Sequence, residues 1–242
     1  MIIKVKRKIS KLLLFDLDGT LMLSGGAGMR AMNQAFFELF NQPDAFNGIQ
    51  PDGKTDPLIF KEMLSKKGLH VPDMELACSE FHNKYIHFLA DEMPKSQGAR
   101  LMPGIPELLT SLTAIQDLAL GLLTGNFEMG ARLKLARFDL NKYFPFGAFG
   151  SDDEDRVRLL DYALERAKVN LGTDVPEPQD VLVIGDTPRD IACGKARKCA
   201  TVGVATGSFS IDALSESGAD FVFKDLSDVN GVLSTLGVLN GG

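Results

Sequence analysis

Six short apolar runs constrain this chain more than any other feature. They are Leu12–Phe15, Leu118–Leu123, Phe146–Phe149, Val181–Ile184, Ala200–Val204 and Phe221–Phe223. Several show no alternation of polar and apolar residues. A strand with one wet face alternates, whereas a strand buried on both faces reads as a continuous apolar run. Helical patterns separate the runs: Phe127–Phe138, Arg156–Lys168, Pro188–Lys198, Ile211–Ser217 and Leu226–Leu236. Strand alternating with helix predicts βαβ units, and so an α/β fold with a central, mainly parallel sheet between two helical layers.

One stretch interrupts the alternation. From about Leu21 to Gly98 no strand is expected. Met32, Ala35, Phe36, Leu39 and Phe40 are spaced along one helical face. Thr55-Asp56-Pro57 reads as a cap followed by proline in a first turn, with Ile59, Phe60, Met63 and Leu64 facing inward until Gly68. Met74, Ala77, Phe81, Tyr85 and Phe88 mark a third amphipathic helix. Met102-Pro103-Gly104 then begins the return to the α/β pattern, and Ile105, Leu108, Leu109 and Leu112 make the next core-facing helix. The expected division is an α/β core of residues 1–20 and 100–242 with a helical domain, 21–99, inserted between its parts.

Length and charge narrow the function classes. A chain of 242 residues is long enough for a sizeable core and for one or two domains. With 26 basic and 32 acidic residues the net charge is −6, which argues against a nucleic-acid or anionic-membrane partner. Cys78, Cys193 and Cys199 include no CxxC pair, so neither a disulfide framework nor a zinc site is expected. The basic start, MIIKVKRKISKLLLF, resembles a targeting segment, but its apolar run is short and ends at Asp16. A buried first strand and a cytoplasmic location are expected.

Chemistry gathers where the apolar runs end. Phe15-Asp16-Leu17-Asp18-Gly19-Thr20 places two carboxylates two residues apart just past a strand. Ligands of open α/β sheets bind outside the carboxyl ends of the strands. Two close carboxylates repel unless a cation or a shared proton compensates. The competing reading is a simple Asp-Gly turn. Gly185-Asp186-Thr187-Pro188-Arg189-Asp190 repeats the theme, with Asp190 one helical turn beyond Asp186. An oxygen-only set of carboxylates suits Mg²⁺; the bland alternative is a helix cap. Thr124-Gly125-Asn126 leads from another strand into a helix, which fits either an anion site or a plain N-cap. Arg156 and Arg158 offer a fixed cation of the kind phosphoryl transfer requires, although Asp152, Asp153, Glu154 and Asp155 beside them equally suit a solvated charge cluster. Gly25-Gly26-Ala27-Gly28 lacks the lysine of a phosphate-binding P-loop and reads as a hinge or flexible loop. His70, His82 and His87 share no metal-binding spacing and read as surface or packing residues.

Taken in order, these residues resemble the haloacid dehalogenase superfamily, over the whole chain. Asp16-Leu17-Asp18-Gly19-Thr20 is similar to the first family motif, Thr124-Gly125 to the second, and Gly185-Asp186 with Asp190 to the fourth. The helical stretch resembles the inserted cap of the helical-cap group, which includes phosphoglycolate phosphatases and β-phosphoglucomutases. The third motif departs: the family has lysine, often followed by proline, where this chain has Glu154-Asp155-Arg156-Val157-Arg158. Arg156 is assigned the role, with Arg158 as the alternative. Arginine is a wider, forked cation.

The resemblance implies a Rossmann-like three-layer core and a Mg²⁺-dependent hydrolase of small phosphate monoesters. It makes Asp16 the nucleophile that forms an aspartyl-phosphate, and Asp18 the general acid and base. Mg²⁺ would be held by Asp16, the Asp18 carbonyl and Asp186, with Asp190 supporting. Thr124, Gly125, Asn126 and Arg156 would bind the substrate. The partner is then a small phosphorylated metabolite, and the protein a monomer or homodimer. The alternatives are a sugar phosphomutase, a 2-haloacid dehalogenase (which Asp18 argues against) and a catalytically silent phosphate-binding protein. Lys54 and Arg30 are candidates for a second anionic group, or plain exposed helix charges.

Overall fold

The computed structural model describes residues 9–238. The basic start of the chain therefore lies mostly outside the described residues, as do the outermost ends of the expected core, 1–8 and 239–242. Among the described residues, six strands form one parallel sheet: β1 (Lys11–Phe15), β4 (Leu118–Leu123), β5 (Gly147–Ala148), β6 (Val181–Gly185), β7 (Ala200–Val204) and β8 (Phe221–Phe223). Their order is β5-β4-β1-β6-β7-β8. After β1 the chain builds outward through β4 and β5, then crosses back to β6 on the other side of β1. This reversal leaves a crevice beside β1, where α/β sheets receive ligands.

Register levels the strand ends. Phe15 is paired with Leu122 of β4 and with Ile184 of β6. Residues just past these positions therefore emerge along one edge of the sheet. Alternate strand residues serve two cores. Leu13, Phe15, Leu120, Leu122, Leu182 and Ile184 belong to one apolar cluster. Leu12, Leu14, Leu123, Val181 and Val183 belong to the other, on the far face. Burial on both faces is why the runs show no polar alternation.

Helices cover both faces: α4 (Ile105–Thr113), α5 (Glu128–Ala136), α6 (Arg156–Leu171), α7 (Pro188–Ala196), α8 (Ile211–Glu216) and α9 (Val229–Thr235). The expected helices are present with trimmed or extended ends. The one expected over Phe127–Phe138 stops at Ala136, and Asp139 beyond it takes a left-handed conformation (φ 56°). The one expected over Leu226–Leu236 begins only at Val229, because the Asp228 side chain accepts from Gly231 N as its cap.

Three helices make the inserted stretch: α1 (Ala27–Phe40), α2 (Asp56–Lys66) and α3 (Met74–Lys95). Phe36, Phe60, Phe81 and Tyr85 are fully buried among them. The Phe60 and Phe81 rings stack at 4.4 Å, and Phe81 lies parallel to Tyr85 at 6.3 Å. The expectation that this stretch lacks strands is wrong at its edge. β2 (Met22–Ser24) pairs antiparallel with β3 (Ala99–Leu101), Met22 opposite Leu101. Three residues are too few to show a period, so the ribbon was invisible in the sequence. It carries the chain out and back side by side. Gly25 follows β2 at φ 61°, and the Ser96 hydroxyl donates to the Ser24 carbonyl at 2.7 Å. The glycine-rich stretch is thus the turn that leads from this ribbon into α1. Among the described residues, no helix is long and apolar enough to cross a membrane.

Candidate active site

Asp16 continues β1 by one residue, its N–H donating to the Ile184 carbonyl at 2.8 Å. Its carboxylate is buried, with Oδ1 3.0 Å from Arg156 Nη2. Arg156 opens α6, where the Asp155 side chain caps the helix by accepting from Val157 N. The guanidinium also pairs with Asp190 and reaches the Gly53 carbonyl at 3.3 Å. Arg158, the alternative, lies on the exposed side of the same helix and pairs with Asp153 at 2.9 Å. The structure therefore brings Arg156 to the strand ends and leaves Arg158 at the surface. Asp152 is also turned away, gripped by Arg166 at 2.6 Å from both oxygens.

Asp186 follows β6. It accepts the Thr20 hydroxyl at 3.1 Å. Gly19 makes this approach possible: at φ 85° it holds a turn that side chains resist, and a Cβ there would stand 2.3 Å from Asp186 Oδ2. Thr187 and Asp190 form the predicted helix cap, the Thr187 N–H and hydroxyl donating to Asp190 Oδ2 at 3.1 and 2.8 Å. The cap and site readings of this segment are both realised, because Asp190 Oδ1 meets Arg156.

Asp16, Asp186 and Asp190 each offer an oxygen within 4.8 Å of the others, and all three are buried. Burial pushes the Asp186 carboxyl up to about 8, with the Asp16 and Asp190 charges adding to the rise. Burial also pushes Asp16 up to about 6, against the pull of Arg156. Three clustered carboxyl groups against one guanidinium, which pairs with Asp16 and Asp190, leave an excess of negative charge, and a hard divalent cation suits this oxygen donor set. Asp16 and Asp186 have oxygens to give it. Asp190, besides offering an oxygen to this group, accepts hydrogen bonds at both oxygens and so orients Arg156 and the α7 start. The carboxylate of Asp18 lies outside this group, so any metal contact from Asp18 must come from its backbone.

Asp18 instead belongs to a second network. Lys134 Nζ donates to Asp18 Oδ2 and to Asn126 Oδ1, both at 2.6 Å. Asn126 Nδ2 donates to the same Asp18 oxygen at 2.8 Å and to the Thr124 hydroxyl at 3.0 Å. Thr124, Asn126 and Lys134 are buried, while the Asp18 side chain is 38% exposed and faces the cavity. Lys134 was not singled out in the sequence. Its signal was there: with Gly130, Ala131 and Leu135 it occupies the buried stripe of α5, a position where an unpaired ammonium is costly.

The inserted stretch closes over these residues. The Asp56 N–H donates to the Gly125 carbonyl at 2.7 Å, and Asp56 Oδ2 accepts from Phe127 N at 2.8 Å. Burial pushes the Asp56 carboxyl up to about 7, against Lys134 and the Phe127 N–H. Thr55, expected as a cap, sends its hydroxyl across to the Glu154 carbonyl at 2.9 Å instead. Gly125 is a point of close approach, since a Cβ there would lie 2.1 Å from the Lys54 carbonyl oxygen. Beneath this closure is a cavity of about 390 Å³ holding Asp16, Asp18, Thr124, Lys134, Arg156 and Asp186 at its floor. Met29, Met32, Phe46 and Ile49 supply an apolar wall. Lys54 lines the cavity but is paired with Glu62 at 2.7 Å, and Arg30 is tied to Glu92 at 2.6 Å. His82 stacks on Phe127 at 4.4 Å, a packing role.

A phosphoglycolate phosphatase from Photorhabdus laumondii is 24% identical over 234 residues, 93% of this chain and 91% of the relative. Among solved structures, a predicted phosphoglycolate phosphatase from Haemophilus somnus superposes with a TM-score of 0.67 at 21% identity, covering 92% of this chain and 97% of the other. A protein described as a candidate β-phosphoglucomutase from Thermotoga maritima shares the fold with a TM-score of 0.58 at 21% identity, covering 93% and 99%. Residues 13–204, which carry every strand-end cluster described above, match the model of the haloacid dehalogenase-like hydrolases. With these residues matched and the clusters in family order around one crevice, the chain belongs to the haloacid dehalogenase-like hydrolase family.

Proposed function

We propose that the protein is a Mg²⁺-dependent phosphatase of small phosphate monoesters, with 2-phosphoglycolate the first substrate to try. The observation that carries this reading is the buried group of Asp16, Asp186 and Asp190, two of them paired with Arg156, set beside a separate, cavity-facing Asp18. It combines a nucleophile, a fixed cation and a second carboxyl free of the metal set. The named activity of the Photorhabdus relative supports the choice of substrate. Residues 1–20 and 100–242 act as the core and 21–99 as the cap, in a cytoplasmic protein.

Asp16 and Asp186, with the Asp18 carbonyl, would hold Mg²⁺, and Asp190 supports them through Arg156. When bound, the ion neutralises charge on the phosphoryl oxygens. Arg156, Thr124 and the backbone N–H groups at Gly125 and Asn126 orient the phosphoryl group. An Asp16 oxygen attacks phosphorus in line. The ester P–O bond breaks, and the departing oxygen takes a proton from Asp18. Asp18 then takes a proton from water as that water's oxygen attacks the aspartyl-phosphate. Inorganic phosphate leaves, and the Asp16 carboxylate and Asp18 carboxyl are restored. The segment 53–56, seated on Gly125, keeps bulk water from the intermediate.

The test is a phosphate-release screen over phosphorylated metabolites, with and without Mg²⁺. Release that depends on Mg²⁺ is expected. Return of phosphate to a sugar would identify a phosphomutase, and no release from any compound would identify a phosphate-binding protein.

A further inference from the structure

Tyr85 carries a buried hydroxyl with no hydrogen-bond partner among the described residues. It is fully buried on α3, its Oη is unpaired, and it lines the cavity. Leaving such a group unpaired costs about 1–3 kcal/mol. The ring has no freedom to turn away. Phe81 lies parallel to it, and Gly130 of α5 is so close that a Cβ there would stand 3.2 Å from Tyr85 Cε1. The fold therefore holds this hydroxyl in place without satisfying it.

Its neighbour is Lys134. A Cβ built on Gly28 would stand 3.6 Å from both Tyr85 Oη and Lys134 Nζ. Gly28 lines the cavity too, so the space between the two groups is open on the α1 side. An ammonium has three N–H groups. Asp18 and Asn126 take two of them, and the Asp56 carboxyl lies within electrostatic reach of both Lys134 and Tyr85 without hydrogen-bonding the Tyr85 hydroxyl. Two donors thus converge beside Asp18. Met29, Met32, Phe46 and Ile49 line the same cavity, with Asp52, Lys54 and Asp56 among its polar residues.

We infer that Tyr85 and Lys134 together read an acceptor oxygen on the leaving group, next to the ester oxygen that Asp18 serves. The substrate class is a short phosphate monoester whose leaving group carries a carboxylate or hydroxyl oxygen close to the ester. This inference rests on the proposed role of Asp18. Tyr85 and Lys134 are then specificity residues, and the unpaired hydroxyl is satisfied only when such a substrate is bound.

Calorimetric titration in Mg²⁺ buffer with three phosphonates of equal length tests this. The probes are 3-phosphonopropionate, 3-hydroxypropylphosphonate and propylphosphonate, which end in a carboxylate, a hydroxyl and a methyl group. The wild type is expected to bind at least one oxygen-bearing probe about tenfold more tightly than propylphosphonate. The probe that wins tells anionic from neutral leaving groups. Tyr85→Phe is expected to lose most of that preference while melting no lower than wild type, since it removes an unpaired buried group. Lys134→Met is expected to lose it as well. An equal affinity of wild type for all three probes, or a preference kept by Tyr85→Phe, overturns the assignment. Phosphate release from 2-phosphoglycolate without the preference leaves the phosphatase reading standing and this inference fallen. The preference without release from any monoester overturns the phosphatase reading and, with it, the leaving-group role, and leaves Tyr85 and Lys134 as a binding feature only.

Discussion

Arg156 Nη2 lies 3.0 Å from Asp16 Oδ1, with both groups almost wholly buried. The same nitrogen pairs with Asp190, so one guanidinium balances two carboxylates. Burial alone would make Arg156 easier to deprotonate, but Asp190 and Asp16 outweigh it and hold the charge. Removing one member of a buried pair leaves the other uncompensated and costs about 3–5 kcal/mol. Arg156→Ala is therefore expected to lower the urea midpoint by a corresponding amount and to abolish phosphate release. Arg156→Lys keeps the charge without the fork, and is expected to fold and to retain partial activity. Arg158→Ala, at the surface, is expected to match wild type in both measurements.

Asp16→Asn removes the attacking oxygen charge and leaves the side-chain volume unchanged. It is expected to lose phosphate release entirely while giving a wild-type circular dichroism spectrum. Turnover by a preparation shown by mass spectrometry to be free of deamidated protein would overturn the mechanism.

A cation that binds the folded carboxylate group, and not the unfolded chain, stabilises by mass action. At about 100 times its dissociation constant the gain is about 2.7 kcal/mol. Mg²⁺ is expected to raise the melting temperature of wild type, and EDTA to remove both that rise and the activity. Asp186→Asn deletes one oxygen ligand and is expected to flatten the Mg²⁺ dependence of melting. An equal rise in both proteins would place the ion elsewhere.

The strand-end clusters were legible because their signal is local. Each is a run of apolar residues followed at once by chemistry, and register then brings Thr124 and Asp186 within one position of Asp16 along the sheet edge. Arg156 was found for the same reason, at the start of a helix. What was hidden depends on distant pairing. Lys134 meets Asp18 across 116 positions of sequence. Nothing in the pattern of α5 says which carboxylate takes a buried lysine. Tyr85 reads as one more aromatic on an apolar face, and only packing shows that its hydroxyl is stranded. Thr55 and Asp56 carry the composition of a helix start, yet they bond to the loops beyond Leu123 and before Arg156. The β2–β3 ribbon is three residues wide and shows no period.

Asp56 gives the chain a pH dependence of stability. Burial raises its carboxyl from 3.8 to about 7. The folded value lies above the unfolded one, so the protonated form favours folding. That contribution is complete below about pH 4 and is lost as pH rises through 7. Asp56→Asn keeps an acceptor for the Phe127 N–H but cannot ionise. Relative to wild type, it is expected to gain stability steadily between pH 4 and pH 8 in denaturant titrations. A difference constant across that range would show that Asp56 does not titrate in the folded protein.

Gly125 decides how closely the inserted stretch can seat. A methyl group at this position would stand 2.1 Å from the Lys54 carbonyl oxygen and 2.9 Å from Thr55 Cα. These are backbone atoms with no rotamer to yield, so the segment 53–56 must lift. Gly125→Ala has no left-handed backbone to strain, since φ at Gly125 is not positive. The sheet and its helices should therefore fold as before. Lifting the segment weakens the Asp56 N–H contact to the Gly125 carbonyl and draws the Gly53 carbonyl away from Arg156. A misplacement of about 1 Å at a reacting centre costs on the order of 10²-fold in rate. Gly125→Ala is expected to lose kcat/KM on that scale and to be cleaved faster by protease between α1 and α2. Wild-type kinetics with wild-type protease resistance would show that the close seating of this segment is not needed for turnover.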